Sequence, residues 1–144
     1  MIVQDVLKIK GRRLITIGFE ATVKDAIALF VEHNIGSLPV VDAQGRLVGI
    51  FSERDVLYTV HENAETFPQR KIQDEMTESP ITCNLMDPVH EVMGKISQFR
   101  VGQLPVVEDG KLVGVVSVGD LIKSMFEKVE NENKHLLTYL YGPA

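Results

Sequence analysis

Residues 35–57, IGSLPVVDAQGRLVGIFSERDVL, recur as residues 101–122, VGQLPVVEDGKLVGVVSVGDLI. The offset is 66 residues up to the central turn and 65 beyond it, after one deletion. Eleven of the 22 aligned columns are identical, where chance gives about one or two. The shared positions are Gly36/Gly102, Leu38/Leu104, Pro39/Pro105, Val40/Val106, Val41/Val107, Gly45/Gly110, Leu47/Leu112, Val48/Val113, Gly49/Gly114, Ser52/Ser117 and Asp55/Asp120. The match continues upstream. Leu14-Ile15-Thr16 aligns with Pro80-Ile81-Thr82, Val23 with Val89, and Val3-Gln4-Asp5 resembles Ile72-Gln73-Asp74. A duplicated unit therefore covers nearly the whole chain. The expected organisation is one repeat over 1–66, a second over 67–125 and a tail over 126–144, with residues 58–71 joining the repeats.

Each repeat has the same local grammar. A short apolar strand (Leu14–Ile17; Ile81–Cys83) precedes a helix. Thr22 and Asp25 form an [ST]-x-x-[DE] start signal. Val23, Ala26, Ile27, Phe30 and Val31 then give one apolar helical face. In the second repeat Asp87 is the expected N-cap and Pro88 the first-turn proline, followed by Val89, Val92, Met93 and Ile96. A hairpin comes next: Leu38–Val41, a glycine-containing turn and Leu47–Phe51, or Leu104–Val107, its turn and Leu112–Val116. A second helix starts near Ser52 or Ser117. Near-continuous apolar strands are what a sheet covered by helices requires. One such unit cannot bury its own faces, so the two repeats are expected to pack face to face. The fold class is α/β.

The composition narrows the function. At 144 residues the chain suits one compact domain, large enough to bury roughly 68–70% of its unfolded surface. It carries a net charge of −5, whereas nucleic-acid binding shows as a basic stripe. The nearest candidate is the short cluster Lys8, Lys10, Arg12 and Arg13, which reads as a solvated loop or as a hold for one small phosphate. No apolar run approaches the roughly 20 residues that span a bilayer, and Met1–Lys10 lacks the apolar core of a secretory leader. Cys83 is the only cysteine, which rules out an internal disulfide and fits a cytoplasmic protein.

No catalytic constellation stands out. Ser117 lacks the leading glycine of a nucleophile elbow. Neither a P-loop nor G-x-G-x-x-G is present. His33, His61, His90 and His135 are scattered, without zinc-type spacing, and read as surface histidines. Cys83 has no basic neighbour in sequence to lower its pKa. The chain reads as a non-enzyme that needs no cofactor or metal.

The order strand–helix–hairpin–helix, with G-x-L-P-V-V, then G-x-L-V-G, then S-x-x-D, all present twice, resembles the CBS domain over residues 1–125. CBS repeats occur as tandem pairs called Bateman modules. The resemblance implies a β-α-β-β-α unit, doubled with pseudo-two-fold symmetry. It also implies a cleft between the repeats that takes an adenosyl ligand: AMP, ADP, ATP, NAD or S-adenosylmethionine. Such modules regulate a separate partner protein and commonly form homodimers.

Two readings of S-x-x-D stand side by side. In one, Ser52 with Asp55, and Ser117 with Asp120, are capping boxes. In the other, the aspartates accept hydrogen bonds from ribose hydroxyls, a task suited to an acceptor-only group with two oxygens, while the serines and helix N–H groups face phosphate. Arg54 beside Asp55 is suited to bidentate phosphate contact; its counterpart, Gly119, is not. The resemblance further implies that Thr16 and Ile17, or Thr82 and Cys83, line the adenine pocket. The hairpin entries do the same: Ile35, Gly36, Ser37 and Pro39, or Val101, Gly102, Gln103 and Pro105. Each cleft is expected to draw on a single repeat. Gly36 and Gly102 read equally as helix C′ glycines. In the tail, Ile122, Phe126, Val129, Leu136, Leu137 and Leu140 form an amphipathic stripe interrupted by Asn133. It reads either as a helix packed on its own module or as a dimerisation or docking element. A regulatory nucleotide sensor is thus the leading expectation, and a constitutive scaffold with empty clefts the alternative.

Overall fold

The computed structural model describes residues 1–11 and 13–143; Arg12 of the basic cluster and Ala144 of the tail lie outside the described residues. In chain order the elements of the first half are α1 (Val3–Lys10), β1 (Ile17–Gly18), α2 (Val23–His33), β2 (Ser37–Val41), β3 (Leu47–Ser52) and α3 (Glu53–Glu62). A 3-10 turn (Phe67–Gln69), α4 (Ile72–Glu75) and β4 (Thr77–Glu78) lead to α5 (Val89–Phe99), β5 (Gln103–Glu108), β6 (Lys111–Ser117) and α6 (Val118–Tyr141). Among the described residues no helix is long and apolar enough to cross a membrane.

The duplication is reproduced down to register. β2 runs antiparallel to β3 with Ser37 opposite Ser52 and Val40 opposite Gly49. β5 runs antiparallel to β6 with Gln103 opposite Ser117 and Val106 opposite Gly114. Each hairpin slips register immediately afterwards, at Val40/Val41 and at Val106/Val107. β1 joins β2 in parallel, Ile17 opposite Val40. The expected strand Ile81–Cys83 contracts to one parallel bridge, Cys83 to Val106.

Local chemistry sets the helix ends. Thr22 caps α2 through a capping box with Asp25, as its spacing predicts. Asp87 does not cap α5: Pro88 occupies the N-cap position, and the Asp87 carboxylate accepts the Asn84 N–H at 2.8 Å. Nor do Gly36 and Gly102 end the preceding helices. Asn34 and Arg100 take the left-handed conformation there, at φ 52° and 53°, closing α2 and α5 two residues earlier. Val31 is 78% exposed and lies off the apolar face, which is made by Val23, Ala26 and Phe30.

The two cores trade their leading segments. Val3, Val6 and Leu7 of α1 are buried against Val89, Val92, Leu104, Val106, Val116 and Leu121 of the second repeat. Ile72 of α4 is buried in the first repeat against Ile17, Val23, Leu38, Val40 and Phe51, beside the stacked rings of Phe30 and Phe51. Matching backbone bonds hold both exchanges. The N–H groups of Val3, Gln4 and Val89 donate to the carbonyls of Asp87, Leu85 and Met1; those of Ile72, Gln73 and Val23 donate to Ala21, Phe19 and Arg70. The weak upstream likeness of Val3-Gln4-Asp5 to Ile72-Gln73-Asp74 is the sequence trace of this crossing.

Gly49 and Gly114 make room for the incoming segments. A Cβ on Gly49 would stand 2.8 Å from the Thr77 carbonyl oxygen and 2.6 Å from Met76 Sδ; on Gly114 it would stand 3.0 Å from Leu7 Cδ1. Gly49→Ala is therefore expected to destabilise the fold by about 1–3 kcal/mol. Gly94→Ala in α5, where a Cβ meets nothing within 4 Å, is expected to stabilise by about 0.5–1 kcal/mol. Urea midpoints that move in the same direction for both variants would refute this account of the exchange.

Candidate functional site

The S-x-x-D pairs are capping boxes in the fold. Ser52 Oγ accepts the Asp55 N–H at 3.3 Å, and Asp55 Oδ2 accepts the Ser52 N–H at 2.8 Å. In the second repeat, Ser117 Oγ accepts the Asp120 N–H at 3.1 Å, and Asp120 Oδ2 accepts the Ser117 N–H at 2.9 Å. Capping uses one carboxylate oxygen. Asp55 Oδ1 has only a long contact, 3.4 Å from Thr77 Oγ1. The hydrogen bonds of Asp120 to described residues all fall on Oδ2. The two readings of S-x-x-D are therefore compatible: a cap leaves one oxygen for a diol.

Asp120 also holds the N-terminal helix. Lys10 Nζ donates to Asp120 Oδ2 at 2.7 Å and to the Val115 carbonyl at 2.8 Å. Partial burial works against ionisation of Asp120. The Lys10 ammonium and the Ser117 hydrogen bonds outweigh it and hold the carboxyl below the usual 3.8.

Lys10 is one wall of a cleft of about 150 Å³, lined by Lys10, Arg13, Ile15, His33, Ile35, Ser37, Pro39, Gln103 and Val115. Across its floor Gln103 Nε2 donates to Ser37 Oγ. These residues are repeat counterparts, so their contact marks the pseudo-two-fold relation. Arg13 Nη2 donates to His33 Nδ1 at 2.7 Å. A second hollow of about 160 Å³ lies against Lys10, with Ile9, Asp120, Lys123 and Ser124. The cleft thus joins first-repeat strands to β6 and the end of α1, and it adjoins Asp120. This cleft draws on both repeats rather than one: Gln103 and Val115 of the second complete a lining otherwise supplied by the first.

The sequence-derived candidates separate accordingly. Ile35, Ser37, Pro39 and Gln103 line the cleft, and Asp120 borders the adjoining hollow. Ile17 and Cys83 are core residues, and Pro105 is buried. Burial, and then the nearby Asp87 charge, push the Cys83 thiol up to about 12 despite Lys95. Thr16 and Val101 are half-buried, and the Thr82 carbonyl accepts Lys95 Nζ at 3.1 Å. The Gly36 and Gly102 carbonyls accept the first N–H groups of α3 and α6, Glu53 and Val118. Arg54 is exposed and outside the cleft lining.

Sequence reasoning missed His33 as a cleft residue and read Arg13 only as part of a basic cluster. A signal was present. At the 66-residue offset their counterparts are Phe99 and Ser79, so neither polar side chain is repeated in the second half. Among the described residues no group of three or more His, Cys, Asp or Glu is placed to hold a metal ion.

Two α/β repeats, crossed at their leading segments and meeting at a cleft of mixed apolar and polar lining, define a tandem-repeat module. The model of the CBS domain matches residues 3–62 and 70–127, and the chain belongs to the CBS-domain family. It is 30% identical to the mitochondrial CBS domain-containing protein CBSX3 of Arabidopsis thaliana, over 97% of this chain and 72% of that one. The CBS domain pair of protein MJ0100, solved with 5′-methylthioadenosine and S-adenosyl-L-methionine, superposes with a TM-score of 0.78 at 30% identity, covering 89% of this chain and 98% of that one. CBSX2 in complex with AMP gives 0.71 at 28% identity, covering 79% and 88%. The chain spans only 13% to 32% of three other curated relatives.

The Asp120 carboxyl lies lower in the fold than its usual 3.8. Its contribution is therefore complete above that value and lost as pH falls through the lowered one. Asp120→Asn is expected to lower the melting temperature at pH 7 and to flatten the acid limb below about pH 4. A variant whose melting temperature falls in parallel with wild type through that limb would sink the assignment.

Proposed function

We propose that this chain is a non-catalytic regulatory module that binds an adenosine nucleotide at the repeat junction, in the AMP class rather than the cationic S-adenosylmethionine class. The observation that carries this reading is the cleft wall of Lys10, Arg13 and His33 facing Ile15, Ile35, Pro39 and Val115. The apolar residues suit a purine face, the cations suit phosphate, and the spare oxygen of Asp120 suits a ribose hydroxyl. The ligand-bound relatives support an adenosyl ligand, one carrying AMP and the other S-adenosyl-L-methionine and its thioether. By the same pseudo-symmetry, Asp55 with Arg54 beside it serves a second ligand.

The module works as a cytoplasmic homodimer. Nucleotide binding between the repeats shifts their packing and thereby the affinity for a separate regulated protein, to the extent that the ligand distinguishes the two packings. The lone, buried Cys83 suits a reducing compartment. The exposed apolar stripe of α6 favours a second reading, a constitutive scaffold with empty clefts.

Thermal-shift measurements against AMP, ADP, ATP, NAD, adenosine and S-adenosylmethionine separate these readings. A ligand at 100 times its Kd stabilises by about 2.7 kcal/mol, and no shift with any of the six supports the scaffold. In isothermal titration, Arg13→Ala is expected to weaken AMP by about 10- to 100-fold, the cost of one charge-assisted hydrogen bond, while adenosine changes less than about threefold. Asp120→Asn is expected to weaken both ligands alike, since both carry the ribose. Equal losses for AMP and adenosine in Arg13→Ala would remove the phosphate role.

A further inference from the structure

α6 runs for 24 residues, yet only its first turns touch the module. Leu121 and Ser124 are buried, whereas every residue from Lys128 to Tyr141 is exposed. The reading in which the tail packs on its own module is not what the fold adopts. A lone helix of about 12–15 residues is marginal in water. This one also leaves Phe126 64%, Leu136 56% and Leu140 57% exposed.

The stripe has coiled-coil spacing. Ile122, Phe126, Val129, Asn133, Leu136 and Leu140 alternate steps of four and three, the d-a-d-a-d-a order of a heptad seam. Asn133, which interrupts the amphipathic pattern, falls on an a position. The outward positions carry Glu127, Lys128, Asn131, Lys134, His135 and Thr138, as a solvent face requires. An amide in the middle of an apolar seam needs a partner amide at the same level. A second copy in parallel register supplies one, and a single a-position asparagine specifies register and strand number.

We propose that residues 122–140 form a parallel, in-register, two-stranded coiled coil with the same segment of a second copy, Asn133 meeting Asn133 across the seam. This rests on the homodimer reading and assigns its joining element to the tail helix. The repeat bodies and their clefts stay outside the seam, so association and nucleotide binding are separable.

The test uses the full-length chain. Sedimentation at micromolar concentration is expected to give twice the 16.1 kDa chain mass. The double variant Val129→Lys/Leu136→Lys is expected to sediment as a monomer with its AMP affinity kept within about threefold. If it remains a dimer, the tail assignment falls while the homodimer reading stands; a monomeric wild type overturns both. A mass of four chains overturns the two-stranded seam. Orientation is read by two single variants, Asn133→Cys and Leu140→Cys, under mild oxidation, with Cys83 buried and inert. A parallel pair brings both positions opposite themselves and links both variants. An antiparallel pair can do so at only one of two levels about 10 Å apart, so linkage at one position alone overturns the parallel register, as does linkage at neither.

Discussion

The reciprocal docking of α1 on the second repeat and α4 on the first is the interaction on which the rest of the molecule depends. Each repeat offers a hairpin with two helices and a strand too short to close its sheet, and neither covers its own apolar face. Burying Val3, Val6, Leu7 and Ile72 in the opposite cores contributes on the order of 1.5–3 kcal/mol for each side chain. The matching sets of backbone hydrogen bonds hold those segments at fixed depth. Two glycines at equivalent strand positions, Gly49 and Gly114, let the incoming chain approach closely. Once the crossing forms, neither repeat can open without exposing part of the other's core.

The cleft is a product of that crossing. Lys10 stands at the C-terminal end of α1 and reaches Val115 and Asp120 of the second repeat because α1 has been carried there. Arg13 follows on the path back and meets His33 at the end of α2. A perfectly symmetric duplication would make two equal clefts. Ser79 and Phe99 at the counterparts of Arg13 and His33 leave the second half without those polar groups. Charge asymmetry laid over structural symmetry gives a module with two related positions a means of treating ligands differently.

α3 and α6 begin alike and diverge. Both start from serine–aspartate capping boxes. α3 stops at Glu62, where the chain turns through Asn63, while α6 has no such stop until Gly142. The extra turns serve no core of their own chain. Their apolar residues remain exposed, and covering them would draw on the same hydrophobic term that closes the repeats.

Much of the architecture was legible in the residues. The doubled G-x-L-P-V-V and G-x-L-V-G runs placed both hairpins, and S-x-x-D placed the starts of α3 and α6, because strand period and helix capping are local properties. Other features depended on packing. Asn34 and Arg100, not the nearby glycines, adopt the left-handed turn, and Asp87 turns to a loop N–H rather than a helix end. Cys83 and Ile17, adjacent to the cleft in sequence terms, went to the cores. His33 gained a role only because Arg13 folds back onto it. The sequence by itself determined the repeat, its elements and their caps. The tertiary structure alone decided which repeat completes which core, and hence which side chains share the cleft. The reason is physical: a local pattern records which face of a segment is apolar, but a surface some 70 residues distant decides where that face is buried.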